Sequence, residues 1–420
     1  MSLFHSTSES SHPSETEKSF SEAFLDISSV RDTLPEQHRT HFDELRQSIL
    51  AFCHEFNIPI ETLRSKDDFG KQLTSKRIPP ERMAQVVSFF ARLEHLVTNK
   101  EPLKIESEAL KEVEPLYHLK EQYNTQVELL ERIGILKDGV ITGIDGNKYP
   151  IPTLEQIAER LYEQREKLET KRDQGFTKLL LVPFGMSLDA LREILKQFLL
   201  SYKQTHPTFD LDTNDPLYTR EKGYEGADIG DPPKMVYNPK SFDKDHHGGK
   251  TKLEILKTQA ENPEDSFPGW RIHLFQPSDP TNQESKGFAS IPREGQGTTH
   301  GEETPRPSLE AGKSSNEYLS TLQEAQEDPN SPYHNESGLT PEDWILAFIT
   351  HLQETGQPLD NYDNDIESIT YLTGSFFPSI ISSALVPYAF WYRDGRQAYL
   401  FRRIPRARVE NIGVRSSVIV

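Results

Sequence analysis

The segment around Gly248-Gly249 carries residue types that bind phosphate in other proteins. Lys250 and Thr251 follow the two glycines, as they do at the end of a phosphate-binding loop. Such a loop also needs a glycine five residues before the last one, and Lys244 occupies that position. Because the pattern is incomplete, it predicts a surface turn, and we expect no nucleotide cofactor.

Two other segments contain side chains that metal ions use as ligands. Asp243, Asp245, His246 and His247 lie close in sequence, but adjacent histidines of an extended chain point to opposite sides and rarely share one ion. The acidic segment 360–367 resembles a calcium loop. In a register that begins at Asp363, however, a serine replaces the required glycine and a glycine replaces the bidentate glutamate. We therefore predict an acidic turn and no metal site, with weak calcium affinity at 360–367 left open.

The cysteine count and the charge exclude several classes of protein. Cys53 is the only cysteine, so the chain has neither an internal disulfide nor a multi-cysteine metal site, and its place beside a helical apolar stripe predicts a packed thiol. A net charge of −19 makes nucleic acid or an anionic membrane an unlikely partner. The first residues do not have the pattern of a signal peptide, and no apolar run is long enough to span a bilayer. We expect a cytoplasmic protein, with export by another route left open.

The first 175 residues predict three regions. Residues 1–32 have the polar composition of a disordered leader. Residues 33–132 contain three apolar stripes of helical period, beginning at Phe42, Met83 and Leu116, which predict a small helical bundle. Residues 133–175 predict a β-hairpin that turns at Asp145-Gly146, followed by a charged helix.

Residues 176–420 predict a mixed domain, so the fold class is α+β. Leu179–Phe184 is a short apolar run bounded by glycines and reads as a buried strand, and Ser187 caps the helix after it. Residues 203–337 are rich in proline and glycine, and we expect only short elements there, with a strand at 270–275. Thr340 begins a helix, and the remaining segments predict three strands, at 384–392, 397–401 and 413–420.

Charge is distributed unevenly over the last third of the chain. Residues 301–370 hold 15 acidic and two basic side chains, whereas residues 388–420 hold seven arginines and two acids. Internal neutralisation explains this asymmetry if the basic strands pack beside the acidic segments. A recognition surface explains it equally well, because arginine mixed with tyrosine, tryptophan and phenylalanine is typical of interface hot spots.

The C-terminal strands resemble a known family. The segments 388–393, 397–400 and 413–420 are similar to the end of C-type-lectin-like variable proteins, which are targets of diversity-generating retroelements and share the fold of formylglycine-generating enzymes. The whole chain also resembles uncharacterised proteins of uncultivated bacteria with small genomes, and the block 174–185 carries that second likeness.

The resemblance implies a lectin-like domain over residues 176–420 and a binding function without catalysis. The variable, ligand-facing positions that it implies form a continuous run: Arg402, Arg403, Ile404, Pro405, Arg406, Ala407, Arg408 and Val409. The resemblance places Trp391, Tyr392, Gly413 and Arg415 in the framework of the domain. Two of these framework residues, Trp391 and Tyr392, are also expected to contact the ligand. The partner expected is an unidentified protein or small molecule. Two alternatives stay open: an enzyme similar to the formylglycine-generating group, although its cysteine pair is absent here, and a nucleic-acid-binding protein that uses the arginine-rich C-terminus.

Overall fold

The chain folds into two compact units, residues 1–106 and 107–420, with an α+β secondary structure as predicted. The computed structural model describes residues 27–60, 66–76, 78–101, 107–219, 223–362, 368–380 and 383–420. No helix within these ranges is long and apolar enough to cross a membrane.

The described part of the first unit consists of four helices: α1 (Ile27–Asp32), α2 (Glu36–Glu55), α3 (Lys66–Ser75) and α4 (Pro80–Asn99). The predicted stripes of α2 and α4 face each other in one core, which contains Phe42 and Val86 and to which α3 adds Phe69. The predicted leader is corrected for residues 27–32, because these form α1 and bury Val30. Residues 1–26 of that leader lie outside the described residues.

The third predicted helix does not belong to this bundle. It divides into α5 (Glu108–Tyr117) and α6 (Leu119–Arg132), because His118 between them has a left-handed backbone with φ of 47°. Both helices lie in the second unit, where their apolar residues join its main core. A stripe of apolar residues fixes which face of a helix is buried, but it does not specify the partner.

The second unit continues with a hairpin and helices, most of which the sequence predicts. In chain order its next elements are β1 (Val140–Thr142), β2 (Lys148–Pro150), α7 (Leu154–Glu163), α8 (Arg165–Asp173), β3 (Lys178–Val182), α9 (Leu188–Thr205), β4 (Leu217–Thr219), β5 (Val236–Tyr237), α10 (Lys252–Glu261), β6 (Arg271–Phe275), β7 (Thr299–His300), β8 (Arg306–Pro307) and α11 (Ser315–Glu327). Helices α10 and α11 lie in the stretch for which we expected only short elements. Each begins with a capping box, at Thr251 with Glu254 and at Ser314 with Glu317.

The last elements comprise the predicted helix and C-terminal strands, together with four strands between residues 336 and 380 that the sequence does not predict. They are β9 (Glu336–Gly338), α12 (Pro341–Thr355), β10 (Asn361–Tyr362), β11 (Ile369–Tyr371), β12 (Ser375–Ile380), β13 (Ser383–Tyr392), β14 (Gln397–Arg403), β15 (Ile412–Val414) and β16 (Ser416–Ile419). The predicted final strand is two strands, which bind different sheets: β15 pairs with β11, and β16 pairs with β6 and β9.

Two sheets enclose most of the core of this unit. One has four strands in the order β3-β6-β16-β9, and the other has eight strands centred on β13, which pairs with β10, β11, β12 and β14. Helix α12 contacts both β3 and β13. Its residues from Pro341 to Thr350 are all buried, so this part of the helix is enclosed on every side. It is more deeply buried than the single apolar face that its sequence predicts.

Glutamine side chains protect the free edge of β3. Gln126 of α6 accepts a hydrogen bond from the Leu181 N–H (2.8 Å) and donates one to the Leu179 carbonyl (2.7 Å). Gln122, one turn earlier, makes the same pair of bonds to Leu179 N and Thr177 O. An edge strand exposes unpaired backbone groups, and these two side chains occupy them as a neighbouring strand would.

Candidate binding surface

The β13–β14 hairpin places alternate aromatic residues on one face of the large sheet. Tyr388, Phe390 and Tyr392 alternate along β13, and Tyr399 and Phe401 alternate along β14. The antiparallel register sets Tyr388 opposite Phe401 and Phe390 opposite Tyr399. Residues that lie directly opposite in neighbouring strands share a face, so the five rings lie together.

Strand β4 extends this row, because Tyr218 pairs in register with Tyr399. Ring centroids are 5.1 Å apart for Tyr218 and Tyr399, 5.0 Å for Phe390 and Tyr399, and 5.2 Å for the stacked rings of Tyr399 and Phe401. We call these six residues the aromatic face: Tyr218, Tyr388, Phe390, Tyr392, Tyr399 and Phe401. Tyr218 is 37% exposed and Phe390 is 8% exposed, while the others are half-buried. The half-buried rings pack against a hydrophobic cluster that includes Phe390, Val386 and Tyr371, so the aromatic face is the partly exposed border of a core. Its exposed part is an apolar patch of the kind that binding sites use.

Trp391 lies on the opposite side of β13 from the aromatic face. It is 3% exposed, and its ring lies 5.3 Å from Phe209 and 6.0 Å from Phe348. This corrects its predicted inclusion among the ligand-binding residues: Trp391 belongs to the framework that supports the sheet. Tyr392, its neighbour, lies on the aromatic face.

The segment that follows β14, residues 404–411, has a fixed backbone and alternating side chains, and we call it the arginine loop. The Pro405 carbonyl accepts hydrogen bonds from Asn316 N and Ser315 Oγ at the start of α11, and the Tyr371 hydroxyl donates to the Ala407 carbonyl. The exposed side chains of the loop are Ile404, Arg406, Arg408 and Glu410, whereas Pro405, Ala407 and Val409 are half-buried. Eight consecutive positions, 402–409, were predicted to face a ligand. Within the arginine loop the structure exposes only every second one of them.

The arginines of this region divide into paired and unpaired groups. Arg402 points to the inner side of the sheet, where its guanidinium lies over the rings of Tyr224 (5.5 Å) and Phe377 (5.0 Å), which corrects its predicted outward position. Arg408 forms an ion pair with Glu317, and this contact holds the pKa of Glu317 at about 2. The side chains of Arg403 and Arg406 make no hydrogen bond or ion pair with any residue that the structure describes, whereas the Arg403 backbone pairs in register with Val386.

Internal neutralisation therefore explains part of the charge asymmetry. Arg415, in the last strands, donates to the buried Asp360 carboxylate (2.7 Å), and Arg306 forms two bonds with the buried Glu336. Internal neutralisation accounts for Arg408 and Arg415, and a recognition role for Arg403 and Arg406 stays a prediction.

The segments that resembled phosphate and metal sites have structural roles. Thr251 caps α10, and the neighbouring Lys252 is fully buried, with Nζ 2.5 Å from Asp228 and 2.8 Å from Glu342. His246 lies on the surface beside Asp243, while His247 accepts a hydrogen bond from Gly249 N. Across the described residues, no group of three or more His, Cys, Asp and Glu side chains is arranged to hold a metal ion.

The calcium-like segment falls largely outside the described residues, since 363–367 are not among them. Its first residue, Asp360, is 5% exposed and uses both carboxylate oxygens internally, for Arg415 and for Trp344 Nε1 (2.9 Å). Cys53 is a packed thiol, as predicted; its burial raises the pKa to about 11.

Comparison of the chain with protein-family models, with curated proteins and with solved structures gives no match. The surface described above is therefore interpreted from its own chemistry.

The sequence does not predict Tyr218 as part of the aromatic face. It also places Trp391 and Arg402 among the ligand-facing residues, which the structure corrects. The alternating pattern at 388–392 and 399–401 indicates strands in the sequence. Tyr218 lies about 180 residues before Tyr399, in a proline-rich stretch. Its strand has only three residues and therefore gives no periodic signal.

Proposed function

We propose that this protein is a non-catalytic binding protein, of the kind that C-type-lectin-like variable proteins represent, and that it recognises an acidic segment of another protein. The observation that carries the proposal is the continuity of the aromatic face with the arginine loop. Tyr399, Phe401 and Arg403 follow one another along the same side of β14, and Ile404 and Arg406 are the first exposed side chains after them.

The chemistry of this surface favours a protein partner. Tyrosine, phenylalanine and arginine are the side chains that contribute most to interface hot spots, because they combine a large apolar area with directional polar groups. Two unpaired guanidinium groups can each take a carboxylate in a bidentate bond. A long polyanion such as nucleic acid fits less well, since the chain as a whole carries −19 and repels it at long range.

The backbone around these side chains is suited to display. The carbonyls of Pro405 and Ala407 are bound to α11 and to Tyr371, and the hairpin below is fixed by seven paired positions from Val386 to Tyr392. Exposed side chains on such a framework can differ in identity without changing the core. This is the property that the resemblance to variable proteins implies.

The proposal is tested with defined peptides and the full chain. A display library of random peptides is selected against the immobilised protein, and enriched sequences are synthesised and titrated by fluorescence anisotropy. We expect the enriched peptides to contain Asp or Glu beside apolar or aromatic residues. The double variant Arg403→Glu/Arg406→Glu should weaken binding at least about tenfold, because each charge-assisted contact is lost and replaced by repulsion.

Two matched variants complete the test. Tyr218→Ala removes the most exposed ring of the aromatic face and should also weaken binding. Arg165→Glu makes the same charge reversal at an exposed arginine outside this surface and should have no effect. Unchanged affinity in the Arg403/Arg406 variant, or selective binding of single-stranded oligonucleotides or glycans that the same variant abolishes, would refute recognition of an acidic protein segment.

A further inference from the structure

A cavity of about 220 Å³ lies in the second unit, residues 107–420, and none of the aromatic-face residues lines it. Its floor consists of buried residues that include Arg306, Arg415 and Ser416, and its mouth is bordered by exposed residues that include Ser290. The cavity therefore opens to solvent above a basic floor.

The charge of this cavity is opposite to that of the chain. The described residues that line it include two arginines and His300, and no described lining residue is acidic. Below the floor, Lys171 and Arg306 share the single carboxylate of Glu336, and Arg415 is balanced by Asp360. The buried groups thus carry one positive charge in excess, which an enclosed site accommodates best when an anion is present.

Donor groups on the floor are not fully used. Arg415 is 94% buried; its terminal nitrogens donate to the Ala289 carbonyl and to Asp360, and its Nε is enclosed with no hydrogen-bond partner among the described residues. For Arg306, Nε and one terminal nitrogen bind Glu336 at 2.7 and 2.8 Å, whereas the other terminal nitrogen reaches only Gln276 Oε1 at 3.4 Å. The second terminal nitrogen of Arg306 is therefore the donor on the floor with the weakest acceptor, and a ligand oxygen at hydrogen-bond distance would satisfy it.

Polar groups make up the larger part of the exposed lining of the cavity, and four large apolar side chains contribute to it. Phe275, Ile291, Leu309 and Val414 line it between the floor and the mouth. A small hydrated inorganic ion would leave these side chains without contacts, whereas a carboxylate with a short hydrocarbon body would satisfy both the walls and the floor. His300 is held by Thr298 Oγ1 (2.8 Å); its pKa is lowered, chiefly by burial and then by Arg306, so the ring is neutral near pH 7.

We infer that this cavity is a binding site for a small organic carboxylate. The carboxylate lies over Arg306 and Arg415, and its hydrocarbon body contacts Phe275, Ile291 and Leu309. Nothing in this assignment depends on the partner proposed for the aromatic face.

Isothermal titration of the full chain tests the inference with acetate, butyrate and succinate as carboxylates and with inorganic phosphate as the comparison oxyanion. We expect butyrate to bind more tightly than acetate, because the longer body covers more of the apolar wall. In the unmodified protein, butyrate should also shift the NMR signals of the His300 ring, which locates the bound ligand without any substitution.

Substitution at the mouth supplies the control. Ser290 is exposed and the structure gives its side chain no hydrogen bond, so Ser290→Glu should leave the fold intact and weaken butyrate binding about tenfold or more by charge repulsion. Ser290→Ala at the same position, and Ser201→Glu on the exposed surface of α9, should bind as the unmodified protein does. Absence of carboxylate binding, preference for phosphate over every carboxylate, or equal affinity in Ser290→Glu would overturn the inference.

Discussion

Substitution of Glu336 by glutamine is the sharpest test of how the C-terminal unit is held together. The Glu336 side chain is fully buried at the start of β9. One of its oxygens accepts hydrogen bonds from Lys171 Nζ and Arg306 Nε, both at 2.7 Å, and the other accepts from a second nitrogen of Arg306 (2.8 Å) and from Ser416 Oγ (2.6 Å). Glu336→Gln keeps the shape and removes the only carboxylate that either cation contacts among the residues that the structure describes.

The expected loss of stability is large. Removing one partner of a buried ion pair leaves an uncompensated charge and costs about 3–5 kcal/mol in the free energy of unfolding. Here two cations are left. The unit spans residues 107–420, and for about 310 residues the usual unfolding entropy converts this loss into a fall in Tm of about 5–8 °C.

Glu317→Gln is the matched control, because Glu317 also forms an ion pair with an arginine, Arg408, but on the surface. Glutamine can replace Glu317 in the capping box of α11, so the change should cost less than about 1 kcal/mol. Both variants are compared with the unmodified chain by urea unfolding at pH 7, followed by circular dichroism.

The pH dependence of the destabilisation distinguishes the loss of the Glu336 charge from a change in side-chain shape. Burial lowers the pKa of Lys171, while Glu336 raises it by its charge. Without Glu336 the pKa of Lys171 should fall further, and the lysine then loses its proton as the pH rises. The destabilisation by Glu336→Gln should therefore be smaller at alkaline pH than at pH 7. A loss no larger than that of Glu317→Gln, or a loss independent of pH, would refute the reasoning.

Further predictions concern two buried groups. Burial, and then the charges of Arg415 and Lys178, lower the pKa of His351 from 6.5 to about 3, and its Nδ1 accepts a hydrogen bond from Phe288 N (3.0 Å). The unfolded chain therefore binds a proton on this histidine at a higher pH than the folded chain does. Because of this difference, the free energy of unfolding should decrease as the pH falls from about 6.5 towards 3. NMR titration should show a neutral ring at about pH 5. In His351→Gln, which keeps an acceptor, this part of the pH dependence should disappear; a ring that titrates near pH 6.5 in the folded protein would contradict the prediction. The thiol of Cys53, whose pKa burial raises to about 11, should react with a disulfide reagent only after denaturation, and rapid reaction of the native protein would show that it is accessible.

Local patterns account for most of the elements of this protein. The Thr340-Pro341 start of α12, the capping box at Thr153 and the turn at Asp145-Gly146 depend on neighbours within a few residues, so the sequence predicts them at the positions that the structure shows. Helix α1 was missed because its six residues carry little periodic signal, and the third stripe was assigned to the wrong unit because a stripe does not identify its partner.

The sequence by itself determined which residues are strand-forming and aromatic near the C-terminus and that seven arginines accompany them. Only the tertiary structure decided where those arginines point. Arg402 and Arg403 are adjacent, yet the pleat of β14 sends one onto Tyr224 and leaves the other on the aromatic side. Arg408 and Arg415 meet Glu317 and Asp360, which lie 91 and 55 residues away in sequence. The packing of elements that are distant in sequence brings these carboxylates to the arginines, and a local sequence pattern carries no information about such long-range contacts.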